Sequence, residues 1–183
     1  MNYVQPIRDK EHIEMIANYL KLWNVRNYML FIVGINVGLR VSDILTLQKK
    51  DITGTHVALR EKKTKKQKMI KINPFLKREL HAYTKNMDMN DYLFPSRNGV
   101  NQPISRTTAY RILRQAAAHV RLKNIGTHTM RKTFGYHFYN KTKDVAILQE
   151  IFNHSDPNIT KRYIGINQDT MDKAMSKFDG LGN

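Results

Sequence analysis

The stretch Val25-Arg-Asn-Tyr-Met-Leu-Phe-Ile-Val-Gly-Ile-Asn-Val-Gly-Leu-Arg-Val-Ser-Asp43 decides how the chain is read. From Met29 to Val33 it is continuously apolar, as expected of a central helix buried on nearly all sides. The run is far too short to cross a bilayer, so it belongs in a globular core. Gly38 supplies the stop, because glycine enters the left-handed region at no steric cost. A short apolar helix over 41–47 follows. Upstream, Asp9 is placed to cap a first helix in which Ile13, Ile16, Ala17 and Leu20 recur at helical spacing.

Downstream the period changes. Val57 and Leu59 alternate with their neighbours, as do Met69 or Ile70 with Ile72, and Arg60-Glu-Lys-Lys-Thr-Lys-Lys-Gln-Lys68 lies between them. This predicts a β-hairpin whose basic loop and flanks project into solvent. Pro74 opens a helix to about 83, and Ser105 caps one to about 120. Thr127 or His128 opens another to about 139, and Asp144 one to 152. Pro157 opens a short helical turn, and a last helix covers about 168–178. Pro95, Asn98-Gly99 and Pro103 mark 86–104 as loop or short hairpin. The fold class is mainly α with a small antiparallel β-sheet, in one domain over 1–183.

Lys and Arg number 31 against 15 Asp and Glu, a net charge of +16. Such a surface draws a polyanion, nucleic acid before an anionic membrane. The chain has no cysteine, which excludes disulfides, cysteine-ligated zinc and a thiol nucleophile. The N-terminus lacks the charged-then-apolar pattern of a signal peptide, so a cytoplasmic protein is expected. There is no phosphate-binding glycine loop, no dinucleotide fingerprint and no His-Glu-x-x-His, and the acidic residues are scattered. No metal and no cofactor are therefore expected.

The remaining chemistry is cationic. Arg60, Lys62, Lys63, Lys65, Lys66, Lys68 and Lys71 surround the single acid Glu61. They read either as a solvated phosphate grip or as a set that hides one catalytic lysine. His128 and Arg131, three apart on a helix, share a face. Arg40, between two apolar helices, is either satisfied by Asp43 three residues on or faces an anion in a cleft. Taken singly, His154 reads as a helix C-cap and Tyr163 as a packed aromatic.

Taken in order, Arg40, Lys63, His128-x-x-Arg131, His154 and Tyr163 resemble the residue set of the tyrosine recombinases, the phage-integrase family. Gly38-Leu-Arg-Val-Ser-Asp43 resembles the first-arginine box, and Lys63-Thr64 resembles the lysine at the tip of the hairpin. Thr127-His-Thr-Met-Arg-Lys-Thr-Phe134 resembles the central box, and Asn153-His-Ser-Asp-Pro-Asn-Ile-Thr-Lys-Arg-Tyr163 the final one. Leu93-Phe94-Pro95 also looks like a family segment. The pattern is departed from at two places: Asp43 stands where glutamate is commoner, and Phe152-Asn153 where Leu-Gly is usual. The helical core-binding domain that most members carry ahead of this region is not recognisable in the sequence.

The resemblance implies a catalytic domain that cleaves and rejoins double-stranded DNA through a 3′-phosphotyrosine on Tyr163. Arg40 and Arg131 would clamp the phosphate with His154, His128 would be the general base, Lys63 the leaving-group acid, and Asp43 a brace. Arg60, Lys62, Lys65, Lys66, Lys68, Arg106, Lys132, Lys161 and Arg162 would grip the DNA backbone. It also implies a free monomer that becomes a tetramer on paired sites, associated with the nucleoid when bound. Met171, Ala174, Met175 and Phe178 form an apolar stripe on the last helix, over about 167–178, that would pack on its own domain or on a neighbouring protomer. The alternatives are a noncatalytic DNA-binding regulator on the same scaffold, a type IB topoisomerase-like enzyme and, from composition alone, a membrane-surface or RNA-binding module.

Overall fold

The computed structural model describes residues 4–61 and 66–178. Helix α1 (Lys10–Trp23) is capped by Asp9, whose carboxylate accepts the Glu11 N–H. Helix α2 (Val25–Val37) is capped by Asn24 and ends at Gly38, at φ 64°. Leu30, Phe31, Val33 and Val37 are all essentially inaccessible, so α2 is the axis of the main core. It packs against α1, against α4 (Pro74–Thr84) and against α6 (Thr127–Thr142). The approach to α6 is close, because a β-carbon at Gly34 would lie 2.3 Å from the Met130 sulfur.

Between these helices lie α3 (Val41–Ile44), a 3-10 turn (Lys49–Ile52) and an antiparallel pair, β1 (His56–Arg60) and β2 (Gln67–Lys71). The short helix after Gly38 ends at Ile44 and not at 47. Register pairs Val57 with Ile70 and Leu59 with Lys68. Ile70 and the buried Ile72 therefore face inward, and Met69 is exposed. Because strand side chains alternate, Lys68 shares the inward phase of Ile70 and Ile72. Residues 86–104 form no strand but make isolated bridges, Gln48 with Tyr92 and Pro95 with Pro103, and the Leu93 N–H donates to the Leu47 carbonyl, with Leu93 and Phe94 fully buried in the core.

Helix α5 (Arg106–His119) is capped by Ser105. Helix α6 runs three residues beyond the expected end, through an exposed polar turn that stops when Lys143 enters the left-handed region. Helices α7 (Val145–Phe152), α8 (Pro157–Ile164) and α9 (Ile166–Met175) complete the chain. The segment opened by Pro157 is thus a helix of eight residues, not a single turn. Leu148, Phe152 and Ile164 form a second, smaller core with Phe134, Phe138 and Tyr163. The C-terminal helices are therefore held on α6 by a separate and modest apolar cluster. Helix α9 is tied to its own chain by the ion pair of Arg8 with Asp169 at 3.0 Å, while Met171, Met175 and Phe178 are exposed. No helix among the described residues is long and apolar enough to cross a membrane.

Candidate active site

Four segments distant in sequence converge at the first turn of α6. Arg131, 3% exposed, holds them together: Nη1 donates to the Gly38 carbonyl at 2.8 Å and Nη2 to the Phe152 carbonyl at 2.9 Å. The guanidinium also lies 4.4 Å from the centre of the Phe152 ring. One buried arginine thus fixes the turn before α3 to the end of α7. Buried carbonyls need such donors, and a charged donor makes the bond stronger.

Arg40 occupies the N-cap position of α3. Its Nη1 lies 3.3 Å from Glu61 Oε1 and 3.9 Å from Asp43 Oδ2. Glu61 is therefore a nearer counter-charge than Asp43, although both carboxylates are fully buried. Arg40, Ser42, Arg106, Thr127, His128 and Arg131 line a cleft of about 320 Å³. Arg40 therefore rests chiefly on Glu61, with Asp43 the more distant acid, and it also lines this cleft.

His128 Nδ1 lies 3.1 Å from the Tyr163 hydroxyl. Partial desolvation, then the charges of Arg131, Lys132, Arg106 and Arg40, lower the His128 pKa, so its ring is neutral at pH 7. Burial raises the Tyr163 pKa, opposed by Arg131 and Arg40, so the phenol keeps its proton in the free protein. A neutral imidazole beside a protonated phenol is a base poised on its acid. His154 follows Asn153, the left-handed C-cap of α7 at φ 50°. Its Nδ1 lies 3.0 Å from Thr160 Oγ1, and its ring centre 5.2 Å from that of Tyr163. Desolvation, with Arg131 and Arg40, brings its pKa down to about 4. A neutral imidazole keeps one N–H to donate and adds no charge.

Arg40, His128, Arg131, His154 and Tyr163 thus share one site, with Asp43 behind Arg40. Lys62, Lys63 and Lys65 lie outside the described residues. Arg60, Lys66, Arg106 and Arg162 are exposed, and Lys161 is half-buried. Lys68 and Lys132 differ from the expected solvated grip. Lys68 pairs with Glu61 at 3.2 Å and donates to the Ile151 carbonyl. Lys132 is buried, donates to the Val4 carbonyl at 2.8 Å, and sits 5.0 Å from the Tyr163 ring centre. Glu61 and Asn153, whose side chains meet at 2.7 Å, were not singled out in the sequence as site residues. The available signals were the lone acid in a basic run and the shared period-2 phase of residues 68, 70 and 72.

The phage integrase family model matches residues 7–169. The chain is 56% identical over 182 residues to the probable integrase/recombinase YoeC of Bacillus subtilis, covering 99% of this chain and all of that protein. It is 23% identical to the tyrosine recombinase XerA of Thermococcus onnurineus over 92% of this chain, but spans only 61% of that protein's length. Its fold superposes on a crystal structure of XerA recombinase with a TM-score of 0.76 at 19% identity, over 98% of this chain and 67% of the other. It also superposes on XerH recombinase bound to a palindromic difH substrate in a post-cleavage complex, with a TM-score of 0.72 at 18% identity over 98% and 55%. With the family match spanning most of the described fold and one relative covered from end to end, the chain belongs to the phage integrase family, the tyrosine-type DNA recombinases.

Proposed function

We propose that this chain cleaves and rejoins double-stranded DNA at specific sites, with Tyr163 as nucleophile. The observation that carries the reading is the 3.1 Å contact of the Tyr163 hydroxyl with His128 Nδ1, beside a cleft lined by Arg40, Arg106 and Arg131. In the forward step the Tyr163 oxygen bonds to phosphorus and the bond from phosphorus to the 5′-oxygen breaks. The phenolic proton passes to His128, and the departing 5′-oxygen takes a proton from Lys63, the acid assigned by its place in the hairpin sequence. Arg40 and Arg131 oppose the charge that grows on the non-bridging oxygens, and His154 adds a neutral donor. The covalent link keeps the energy of the broken bond for rejoining, so the return step is the same chemistry with a different 5′-hydroxyl.

Exposed Arg60, Lys66, Arg106 and Arg162, with half-buried Lys161 and with Lys62 and Lys65 of the basic loop, supply the backbone grip. Lys68 and Lys132 contribute to the site's architecture instead, since both ammonium groups are spent on internal partners. Residues 1–183 act as one catalytic unit, monomeric when free because a charge of +16 resists association, and tetrameric on paired sites where DNA neutralises that charge. The place of action is the cytoplasm, on the nucleoid. The deciding experiment uses a nicked suicide duplex built from the sequence flanking the gene. The unsubstituted chain should form a covalent adduct that survives a denaturing gel, and Tyr163→Phe should form none while binding the duplex with nearly unchanged affinity. An adduct from Tyr163→Phe would move the nucleophile elsewhere, to Tyr136 or Tyr139 on α6. No adduct from either protein would leave the regulator reading in its place.

A further inference from the structure

Glu61 is the only fully inaccessible glutamate among the described residues, and it sits at the edge of the site without lining the cleft. A buried carboxylate is costly unless it is paired on several sides. Here Oε1 meets Arg40 Nη1 at 3.3 Å and Lys68 Nζ at 3.2 Å, and Oε2 accepts from Asn153 Nδ2 at 2.7 Å. These partners belong to three separate parts of the fold: the turn before α3, strand β2, and the turn between α7 and α8. Lys68 extends the link, because its ammonium also donates to the Ile151 carbonyl. The short run 151–154 is then gripped residue by residue. Ile151 is held by Lys68, Phe152 by Arg131, Asn153 by Glu61, and His154 by Thr160.

Asn153 serves two purposes. Its backbone closes α7 in the left-handed region, which asparagine tolerates better than most residues with a β-carbon. Glycine would meet that need equally well, but would leave Glu61 Oε2 without the amide.

We infer that Glu61 is a positioning residue of the recombination site: it sets the Arg40 guanidinium beside the cleft and, through Lys68 and Asn153, locks the β-hairpin to the turn that carries His154. The inference rests on the reading of Arg40 as a phosphate clamp. It goes further by naming the group that aims the clamp and by making hairpin and turn a single unit.

The test compares single-turnover cleavage of two suicide duplexes. One has the native phosphodiester at the scissile position. The other has a methylphosphonate there, which lacks one anionic oxygen and so needs less cationic help. Arg40→Ala, Glu61→Gln and Asn153→Gly are measured on both. Glu61→Gln should slow native cleavage by about 100-fold, the scale of a misplaced catalytic group. Asn153→Gly, which keeps the backbone and removes one bond to a charged acceptor, should slow it by about 10-fold. On the methylphosphonate both variants should regain rates near that of the unsubstituted chain, following Arg40→Ala. Equal slowing on both linkages, or none on either, would overturn the positioning role, because a general packing defect does not discriminate by phosphate charge. Relief for Arg40→Ala alone would refute the role of Glu61 and leave the clamp standing. No relief for Arg40→Ala would refute the clamp and the inference with it. Asn153→Gly supplies the answer if Glu61→Gln fails to fold.

Discussion

Replacing Gly38 with alanine tests the junction on which the whole site turns. Gly38 closes α2 at φ 64°, and its carbonyl accepts the Arg131 guanidinium at 2.8 Å. A β-carbon there would lie 2.4 Å from Cδ1 and 2.6 Å from Cε1 of the Phe134 ring. Left-handed backbone costs an alanine about 1–2 kcal/mol. Forcing the ring aside in a packed region costs about 1–3 kcal/mol more. Gly38→Ala should therefore lose about 2–5 kcal/mol of unfolding free energy, a large share of a single domain's stability. Urea unfolding at pH 7 reads this as a lower midpoint at unchanged slope. Gly54→Ala is the matched control, since no atom lies within 4 Å of the added carbon and its φ is not positive. It should stay within about 0.5 kcal/mol of the unsubstituted chain. Below its melting point, Gly38→Ala should still cleave poorly, because the displaced carbonyl no longer aligns Arg131 with the cleft. A loss under about 1 kcal/mol would refute the reasoning, as it would mean that Phe134 yields freely and that the turn is not constrained.

Two further expectations concern titration and the C-terminal helix. His154 has a folded-state pKa of about 4 against 6.5 for the free side chain, so between those values the unfolded chain binds the extra proton. Stability should fall as pH drops from about 6.5 toward 4, by roughly 1–2 kcal/mol once solvent at the partly buried ring is allowed for. His128, also lowered, adds in the same direction. His154→Gln should flatten thermal melts over that range, and an unchanged slope would refute the assignment. Deleting residues 167–183 removes the ion pair of Arg8 with Asp169, a partly exposed contact worth about 1 kcal/mol or less. The truncated monomer should melt within that margin and bind a single DNA site normally, while gel-shift assays lose cooperative assembly on paired sites. Unfolding on truncation would instead assign the helix to its own core.

What the sequence determined by itself was what depends on neighbours along the chain. Continuous apolar residues at 29–33 marked α2 as the buried axis, and Gly38 marked its end. Asp9, Ser105 and Asp144 announced helix starts because a short side-chain oxygen meets backbone N–H groups two or three residues on, whatever lies beyond. The ordered set Arg40, His128, Arg131, His154 and Tyr163 was legible because its spacings are local within each box. Only the tertiary structure decided which charges meet. Arg40 had Asp43 as its evident partner in sequence, yet Glu61 lies closer, because β1 delivers that carboxylate behind the turn. Lys68 and Lys132 looked like members of a basic surface, and packing turned both inward. Asn153 meets Glu61 across 92 positions of chain. Periodicity reports which face of an element is buried, but the partner of a buried charge is chosen by the surfaces that folding brings together.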